Sequence, residues 1–262
     1  MASRLDQLLV ERGLFPSREQ ARRAVMAGLI SVDGRRVDKP GTAVGGAAAL
    51  AVAAREPFVS RAGRKLAHAL DHFGIDPAGR VCLDVGASTG GFSHCLLERG
   101  ARRVYALDVG HGQLDQRLRR DPRVVVMEGV NARYLAAGDL PEPADLITVD
   151  VSFISLAKVV PALLPHLRAA DLGAAGAPGA PGAAGGDLLV LIKPQFEAGR
   201  GAVGKGGILR DEALRRQVIA ETAGRLAALG GLELAGGGWF DSPVAGSGGN
   251  REAFALLRRR ES

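Results

Sequence analysis

Apolar positions along most of the chain occur in short continuous runs separated by helical patterns. Five such runs lie between residues 80 and 193, and two more lie near the end of the chain. Continuous rather than alternating apolar runs are typical of strands buried on both faces of a parallel sheet. With helices between them, they predict an α/β fold with a doubly wound, mostly parallel sheet. The predicted strands are residues 80–84, 103–108, 124–127, 146–150, 188–193, 232–236 and 253–257.

The start of the chain has a different pattern. Residues 4–12 carry leucines at helical spacing, and a second helix is predicted to begin at Ser17, with Gln20 as its capping-box partner. Asp33-Gly34 stands between two short β-rich runs, which is a strong signal for a two-residue hairpin. Two helices followed by a hairpin predict a small α+β module at the amino-terminal end.

The boundary between the two parts falls in a stretch rich in small residues. We interpret residues 41–54 as a last short strand and a linker. This interpretation gives a first module over residues 1–55 and a second domain over residues 56–262. Ser60 is predicted to cap a helix over residues 61–73, at the start of the second domain.

Composition narrows the class of protein. An apolar fraction of 47% with 24% charged residues is typical of a soluble globular chain, and no run reaches the ~18 apolar residues of a membrane span. The chain starts without the apolar core of a signal peptide, and Cys82 and Cys95 fall where we expect inert buried thiols. Residues 173–186, almost wholly Gly, Ala and Pro, are interpreted as a mobile surface insertion. We expect a cytoplasmic, monomeric protein without a metal centre or a membrane partner.

Positive charge is concentrated in the first module. Residues 1–55 contain nine Lys/Arg and five Asp/Glu, so this fifth of the chain carries +4 of the total net charge of +6. Such a surplus favours a polyanionic partner, with a merely solvated basic face as the alternative. Arg18 and Arg22 are four residues apart and share one helix face, and Arg23 lies beside it. These arginines are candidates for contacts with phosphates.

A glycine-rich loop connects the first predicted strand of the sheet to a helix. Glycines at such a turn let the backbone approach a ligand, and helix N–H groups point into the crevice beyond the strands. The spacing differs from the G-x-G-x-x-G pattern of dinucleotide-binding enzymes, and the acidic residue before the loop suits a ligand with an ammonium group. We expect an adenosine-containing cofactor to be bound by Asp84, Gly86, Ala87, Ser88, Thr89, Gly90, Gly91 and Phe92.

Two polar residues follow the next two strands. Asp108 closes the second strand, where a carboxylate can accept hydrogen bonds from both ribose hydroxyls. Nicotinamide enzymes use the same device, so Asp108 indicates adenosine without naming the cofactor. Asn131 lies just past the third strand, where it either meets the edge of the adenine or forms a turn.

Four charged residues fall where the crevice of such a sheet lies. Asp150 ends the fourth strand and Lys193 ends the fifth, and strand ends on the ligand side are the usual place for catalytic groups. Lys65 lies on the helix at the start of the second domain, and Glu252 begins a late strand. Alternatively, Lys65 is a solvent-exposed charge on its helix. The alternative for Glu252 is a charge on an edge strand that prevents aggregation.

The first module resembles the S-four-type RNA-binding module, named after a small-subunit ribosomal protein. The order Arg-Leu-Asp, Ser-Arg, Ala-Arg and then Gly-Leu-Ile-Ser-Val-Asp-Gly carries this resemblance. It implies RNA contacts through Arg4, Arg18, Arg22, Arg23 and Arg36.

The whole chain resembles the TlyA family, in which such a module precedes an FtsJ-like (RrmJ-type) methyltransferase domain with a Rossmann-like sheet. The segments that carry the resemblance are residues 58–66, 84–91, 108–114, 150–156, 191–197, 203–207 and 249–252. The resemblance implies 2′-O-methylation of cytidine in ribosomal RNA or ribosomal subunits with S-adenosyl-L-methionine as cofactor. It also places the family's catalytic Lys-Asp-Lys-Glu tetrad on Lys65, Asp150, Lys193 and Glu252.

Two departures from the family pattern bear on this expectation. Residues 56–59 read Glu-Pro-Phe-Val where some members have Arg-x-Trp-Val, and the chain stops at Ser262, soon after Glu252. Because longer members have a further tail, the second departure leads us to expect the large subunit as the target, with the small subunit as the alternative. Lys193 is expected to act either as the base or as a charged stabiliser of the alkoxide. A membrane-lytic haemolysin, a nicotinamide-dependent oxidoreductase and an inactive RNA-binding adaptor are the alternative functions.

Overall fold

The structure is a computed structural model that describes residues 2–53, 56–169, 185–199, 203–204 and 206–259. Most of the predicted insertion at 173–186 therefore lies outside the described residues. The chain divides into two compact units, Met1–Glu56 and Pro57–Ser262.

The first unit contains two helices and short strands. Its elements are β1 (Ala2–Arg4), α1 (Leu5–Glu11), α2 (Arg18–Met26), β2 (Ile30–Val32), β3 (Arg35–Arg36), β4 (Ala43–Gly45) and β5 (Leu50–Val52). The side chain of Ser17 accepts a hydrogen bond from the backbone N–H of Gln20, so the predicted start of α2 is confirmed. Leucines of α1 pack against α2 and β2 to form the core of this unit.

The predicted hairpin is present between β2 and β3. Both turn residues have positive φ, 50° at Asp33 and 77° at Gly34, as a two-residue turn of type I′ requires. The prediction of one last short strand over residues 41–54 was wrong, because that segment forms both β4 and β5. β4 pairs with β1 and β5 pairs with β2, so the segment contributes to two separate small sheets.

The second unit is built on a seven-stranded sheet. Its helices are α3 (Ala62–Phe73), α4 (Gly91–Glu98), α5 (Gln116–Arg119), α6 (Val160–Leu163), α7 (Pro194–Glu197) and α8 (Glu212–Ala227). Its strands are β6 (Val81–Val85), β7 (Arg103–Asp108), β8 (Val124–Glu128), β9 (Leu146–Val149), β10 (Asp187–Ile192), β11 (Leu232–Asp241) and β12 (Ala253–Arg259). Short 3₁₀ turns lie at Ala132–Tyr134, Leu156–Lys158, Leu164–His166 and Ser247–Gly249.

The strand order determines where a ligand crevice opens. The order in the sheet is β11-β12-β10-β9-β6-β7-β8, and the five strands from β10 to β8 are parallel. From β6 the chain runs outward through β7 to β8, and it then returns to β9 on the other side of β6. The crevice of such a sheet opens beyond the carboxyl ends of the strands at this reversal.

Both faces of the sheet are buried, as the continuous apolar runs predict. Val81, Leu83 and Val85 of β6 belong to one apolar cluster, which also contains residues of α6 and α8. Cys82, between them, belongs to a second cluster on the opposite face, with residues of α3 and α4. The predicted doubly wound, mostly parallel α/β fold is therefore confirmed.

Two local predictions in this unit were wrong. Helix α3 begins at Ala62 after Arg61, and no side chain caps its first turn, so Ser60 is not the cap. Strand β11 does not end at residue 236 but continues to Asp241, with a register shift between Ala235 and Trp239. The three glycines inside this irregularity all have positive φ, which bends the edge strand without ending it.

The last residue but one of β6, Asp84, has its carboxylate inside the core. Asp84 is fully buried, and its oxygens accept hydrogen bonds from Ser93 Oγ (2.6 Å) and Thr148 Oγ1 (3.3 Å). Burial raises the pKa of Asp84 to about 7, and the negative charge of Asp150 adds to this effect, while the hydrogen bond from Ser93 opposes it. The folded protein therefore retains a proton on Asp84 over a pH range in which an unfolded chain has released it.

Because of the raised pKa of Asp84, we expect the free energy of unfolding to depend measurably on pH. Between about pH 4 and 7 the folded state binds more protons at Asp84 than the unfolded state, so its contribution to the free energy of unfolding falls as the pH rises. We expect the free energy of unfolding of Asp84→Asn to change less with pH in that range, because the variant has no carboxylate at this position. Urea unfolding, followed by the fluorescence of Trp239, the single tryptophan of the chain, measures this free energy at each pH. The exposed Asp76→Asn serves as the control, and equal slopes for wild type and Asp84→Asn would contradict the assignment.

Candidate active site

A cavity of about 220 Å³ opens at the reversal of strand order, beside the ends of β6, β9 and β10. Its wall combines backbone from the glycine-rich loop with polar side chains from the two neighbouring strand ends. The residues that line it are Ser60, Ala62, Gly86, Ala87, Ser88, Thr89, Phe92, Asp150, Ser152 and Lys193. Seven of these are among the sequence-predicted site residues.

The glycine-rich loop passes very close to the loop that follows β9. A Cβ atom on Gly86 would lie 2.5 Å from the backbone oxygen of Asp150, and Gly86 has a φ of +86°. Only glycine satisfies both the close approach and the left-handed backbone. The amide of Gly86 also donates to the backbone oxygen of Leu107, which ties the loop to β7 (2.8 Å). The close approach of Gly86 to Asp150 therefore brings the loop backbone and Asp150 to one cavity.

Three loop residues predicted to bind the cofactor lie away from the cavity wall. Gly90 and Gly91 form the start of α4. A Cβ on Gly91 would overlap Ser60 Oγ and the start of α3, so this glycine permits close packing of the two helices. Asp84 lies below the loop with both oxygens engaged inside the core. Asp84 therefore supports the loop from inside the core. A direct contact between Asp84 and a cofactor stays a prediction.

Asp108 connects the glycine-rich loop to the loop that follows β7. One carboxylate oxygen accepts from the backbone N–H of Ser88 (2.8 Å), and the other accepts from that of Gly110 (2.7 Å). Ser88 Oγ also donates to the side chain of Gln113 (3.3 Å). Asp108 thus holds one edge of the loop in place, at the strand end where the sequence predicts a ribose contact.

The sequence leaves two roles open for Asn131, an adenine contact and a turn, and the side chain forms a turn in the structure. Its side-chain oxygen accepts from the backbone N–H of Arg133 (3.1 Å) and caps the 3₁₀ turn Ala132–Tyr134. The residue is exposed beyond β8. A contact with adenine stays a prediction.

The first of two ion pairs lies in the cavity wall. Lys193 Nζ is 2.6 Å from Asp150 Oδ1 and donates a hydrogen bond to Ser152 Oγ (2.8 Å). The Lys193 side chain is 10% exposed and that of Asp150 is 16% exposed, so both are shielded from bulk water. Water screens such a pair less than it screens a surface pair. The ammonium group donates a hydrogen bond to Ser152 and forms an ion pair with Asp150, and it lines the cavity, where a ligand oxygen can reach it.

The second ion pair joins α3 to the start of β12. Lys65 Nζ donates to Glu252 Oε2 at 2.6 Å, and both side chains are buried. Ile192 of β10 is paired with Ala253 of β12, so Lys193 and Glu252 leave neighbouring strands at the same edge of the sheet. A Cβ on Gly246 would overlap the Glu252 carboxylate, so the loop before β12 packs directly on this group. The four charged residues predicted from sequence therefore form two pairs, Lys193 with Asp150 and Lys65 with Glu252.

Three residues beside the Lys193 pair are not among the residues predicted from the sequence. Ser152 contacts Lys193, and Phe153 is 90% exposed in a left-handed conformation with a φ of +63°. Glu197, at the end of α7, accepts from Ser155 Oγ and from the backbone N–H of Leu156. The first two lie in a segment without periodicity, and the contacts of Glu197 span about 40 residues of sequence. The signals available in the sequence were their position next to Asp150 and Lys193 and their place in the segments 150–156 and 191–197, which carry the family resemblance.

In the first unit, two predicted RNA-binding arginines are held by one carboxylate. Asp6 is fully buried and accepts from Arg4 Nε and Arg18 Nε, both at 3.1 Å. The hydrogen bond from Arg4 keeps the pKa of Asp6 below its usual value, although burial opposes this. Both guanidinium groups remain about half exposed, so each can still meet a phosphate while its position is fixed.

The exposed face of α2 carries the other two predicted arginines of that helix. Arg22 and Arg23 lie beside Arg18 around a shallow cavity of about 470 Å³, which Glu19 and Met26 complete. Arg23 Nη1 is 3.6 Å from Glu19 Oε1, and both side chains are exposed, so this pair is weak. Arg36 lies elsewhere, with its guanidinium packed over Gly28 at the end of α2.

No helix within the described ranges is long and apolar enough to cross a membrane. Among the same residues, no group of three or more His, Cys, Asp or Glu side chains is placed to hold a metal ion. Both cysteines are buried, and burial raises the pKa of the Cys82 thiol far above its usual value and that of the Cys95 thiol to about 12.

Comparison with known families agrees with this geometry. Residues 58–259 match the family model of the FtsJ-like methyltransferases, and residues 3–48 match that of the S4 domain. The two matches cover both units of the structure.

Individual relatives are similar over nearly the whole chain. The 16S/23S rRNA (cytidine-2′-O)-methyltransferase TlyA of Mycobacterium tuberculosis is 45% identical over 98% of this chain and 90% of its own length. Hemolysin A of Brachyspira hyodysenteriae is 38% identical over 96% of this chain and 98% of its own. A solved structure of a hemolysin-like protein from Streptococcus thermophilus covers 100% of this chain and 90% of its own, with 38% identity and a TM-score of 0.69. The chain therefore belongs to the TlyA family of FtsJ-like methyltransferases with an S4 domain.

Proposed function

We propose that the protein transfers a methyl group from S-adenosyl-L-methionine to the ribose 2′-oxygen of a cytidine in ribosomal RNA. The observation that carries this proposal is the position of Lys193 Nζ, held between Asp150 and Ser152 in the wall of a cavity lined by the glycine-rich loop. Membership of a methyltransferase family and the name of the Mycobacterium tuberculosis relative support it.

The residues around the cavity suit this cofactor. The cavity lies against the backbone of Gly86, where any side chain would collide with the neighbouring loop. A carboxylate, Asp108, stands at the adjacent strand end, as an adenosine site requires. We assign the methionine end to the cavity beside Gly86 and Asp150, and the ribose to Asp108. When bound, the cofactor supplies an electrophilic methyl group on a sulfonium sulfur.

The protein has to align the 2′-oxygen and stabilise the charge that develops on it. A ribose hydroxyl is a weak nucleophile near neutral pH, so alignment and electrostatic stabilisation lower the barrier. Asp150 and Ser152 fix Lys193 Nζ on two sides. An ammonium N–H of Lys193 can donate to the 2′-oxygen and stabilise the negative charge that develops on it. The hydroxyl proton passes to water while the oxygen–methyl bond forms and the methyl–sulfur bond breaks. We therefore favour the role of a charged donor for Lys193 over that of a general base.

The Lys65–Glu252 pair supports the same edge of the sheet. Glu252 leaves β12 next to the point where Lys193 leaves β10, and Lys65 neutralises its buried charge. A buried carboxylate without such a partner would be costly. We assign two roles to the Lys65–Glu252 pair. It keeps the local charge balanced, and it holds the strand ends in register around the 2′-hydroxyl.

The substrate is proposed to be RNA with an accessible nucleotide. The half-exposed arginines of the first unit match the phosphate backbone. A ribose 2′-hydroxyl reaches a recessed cavity more easily from an unpaired or flipped nucleotide. Phe153, one residue from Ser152 and almost fully exposed, offers a ring on which such a base can stack.

Replacing Lys193 tests the assignment of the cavity. We expect Lys193→Ala to lower the rate of methyl transfer to ribosomal RNA by at least about 100-fold, because the alkoxide loses its charged donor. The affinity for S-adenosyl-L-methionine should change by less than about threefold, because Lys193 faces the nucleophile. Single-turnover transfer of a labelled methyl group and calorimetric titration measure the two quantities. Lys158→Ala, an exposed lysine of the same unit, is the control, and a near-normal rate for Lys193→Ala would refute the role.

Replacing the arginines of α2 tests the RNA surface. We expect Arg22→Ala and Arg23→Ala each to reduce the slope of log affinity against log salt concentration by about one, since each removes one phosphate contact. Filter binding of ribosomal RNA between low and moderate salt measures the slope. Arg216→Ala, which removes an exposed arginine of α8, is the matched control and should leave the slope as in wild type. Slopes unchanged in all three variants would place the RNA contacts elsewhere.

A further inference from the structure

The segment after β9 and the segment after β10 run side by side. We call residues 150–156 the β9 loop. It begins with Asp150 and Ser152, which hold Lys193, and it ends at the 3₁₀ turn that starts with Leu156. Lys193 precedes the first residue of α7, and Glu197 is the last residue of that helix. One short helical turn therefore faces the whole β9 loop.

Three contacts join the two segments from one end to the other. At the first end, Lys193 contacts Asp150 and Ser152. In the middle, the rings of Phe153 and Phe196 lie 4.9 Å apart, centre to centre. The third contact, at the far end, is made by Glu197.

Glu197 makes this far contact with both carboxylate oxygens. One oxygen accepts from Ser155 Oγ (2.7 Å) and the other accepts from the backbone N–H of Leu156 (2.8 Å). The Glu197 side chain is only 2% exposed, and the half-exposed Arg225 of α8 lies 3.7 Å from its carboxylate. Hydrogen bonds to an ionised carboxylate that is shielded from water are among the stronger ones in proteins.

The β9 loop needs such a restraint because of its backbone. Phe153 has a φ of +63°, a conformation that bulky residues adopt only when the surroundings enforce it. The ring of Phe153 is almost fully exposed, so its own burial supplies little of that enforcement. The restraint comes from the two ends, where Lys193 and Glu197 hold the residues on either side.

We propose that Glu197 is a positioning residue, which holds the β9 loop so that Asp150 and Ser152 keep Lys193 aimed into the cavity. This inference rests on the proposed function for the identity of the reaction, while the restraint on the loop is independent of it. Glu197 touches neither Lys193 nor the wall of the cavity, and it acts through Ser155 and Leu156. Its loss releases one end of the loop. A displacement of about 1 Å in such a site lowers a rate by up to about 100-fold.

The test compares Glu197→Ala, Glu197→Gln and Ser155→Ala in the full-length chain. We expect Glu197→Ala to slow single-turnover methyl transfer to ribosomal RNA by about 10- to 100-fold, with the affinity for S-adenosyl-L-methionine within about twofold of wild type. Glu197→Gln should recover most of the rate, because the amide oxygen accepts from Leu156 and its NH₂ group donates to Ser155 Oγ. Ser155→Ala removes one of these two bonds together with the hydrogen bond that Ser155 Oγ accepts from the backbone N–H of Ala157, and it should also slow the transfer.

A second readout reports the loop without any reaction. Amide hydrogen exchange of residues 151–156 should be faster in Glu197→Ala than in wild type and near normal in Glu197→Gln. Glu142→Ala is the matched control, because Glu142 accepts from Arg102 and Tyr105 far from the β9 loop. It should change neither the exchange of these residues nor the rate.

The outcomes separate the two claims. If wild type transfers no methyl group to ribosomal RNA but Glu197→Ala still exposes the β9 loop, the proposed function fails and the restraint stands. If wild type is active and Glu197→Ala shows normal exchange and a normal rate, the positioning role is overturned. A rate loss that Glu142→Ala reproduces in equal measure would also overturn it, because the effect would then be general destabilisation.

Discussion

The close approach of Gly86 to Asp150 is the constraint on which the site depends. The chain leaves β6 in one direction and returns to β9 in the other, so a crevice opens beyond the ends of these two strands. At this point the backbone of Gly86 lies so close to that of Asp150 that a Cβ atom on residue 86 would collide with it. The glycine-rich loop and the first acidic residue of the β9 loop therefore share one cavity. Every assigned role, from cofactor binding to the alignment of Lys193, requires that approach.

Two buried ion pairs lie at the edge of the sheet on which the cavity opens. Lys193 with Asp150 and Lys65 with Glu252 are both shielded from water, and the Lys193 ammonium group lines the cavity. Burying two ion pairs seldom stabilises a fold, because desolvation costs about as much as the attraction returns. The two ion pairs are therefore better explained by a reaction than by stability.

Much of this arrangement was predictable from the sequence. Continuous apolar runs predicted strands buried on both faces, and their ends located Asp150 and Lys193 because parallel strands share one ligand edge. The pairing of the four charged residues was not predictable, since it depends on β12 entering the sheet antiparallel beside β10. Glu197 was missed for a similar reason: its partners lie about 40 residues away, in a loop without periodicity. Ser60 resembled a helix cap in sequence, but α3 starts one residue further on.

The central claim is that Lys193 acts on a ribose 2′-oxygen of ribosomal RNA. The most direct measurement is a map of 2′-O-methylation across ribosomal RNA, read from resistance to alkaline hydrolysis. It compares cells that carry the wild-type gene, no gene, or Lys193→Ala at the natural locus. The account predicts that at least one cytidine is methylated only in the wild type and that Lys193→Ala matches the deletion. Identical maps in all three strains would contradict it.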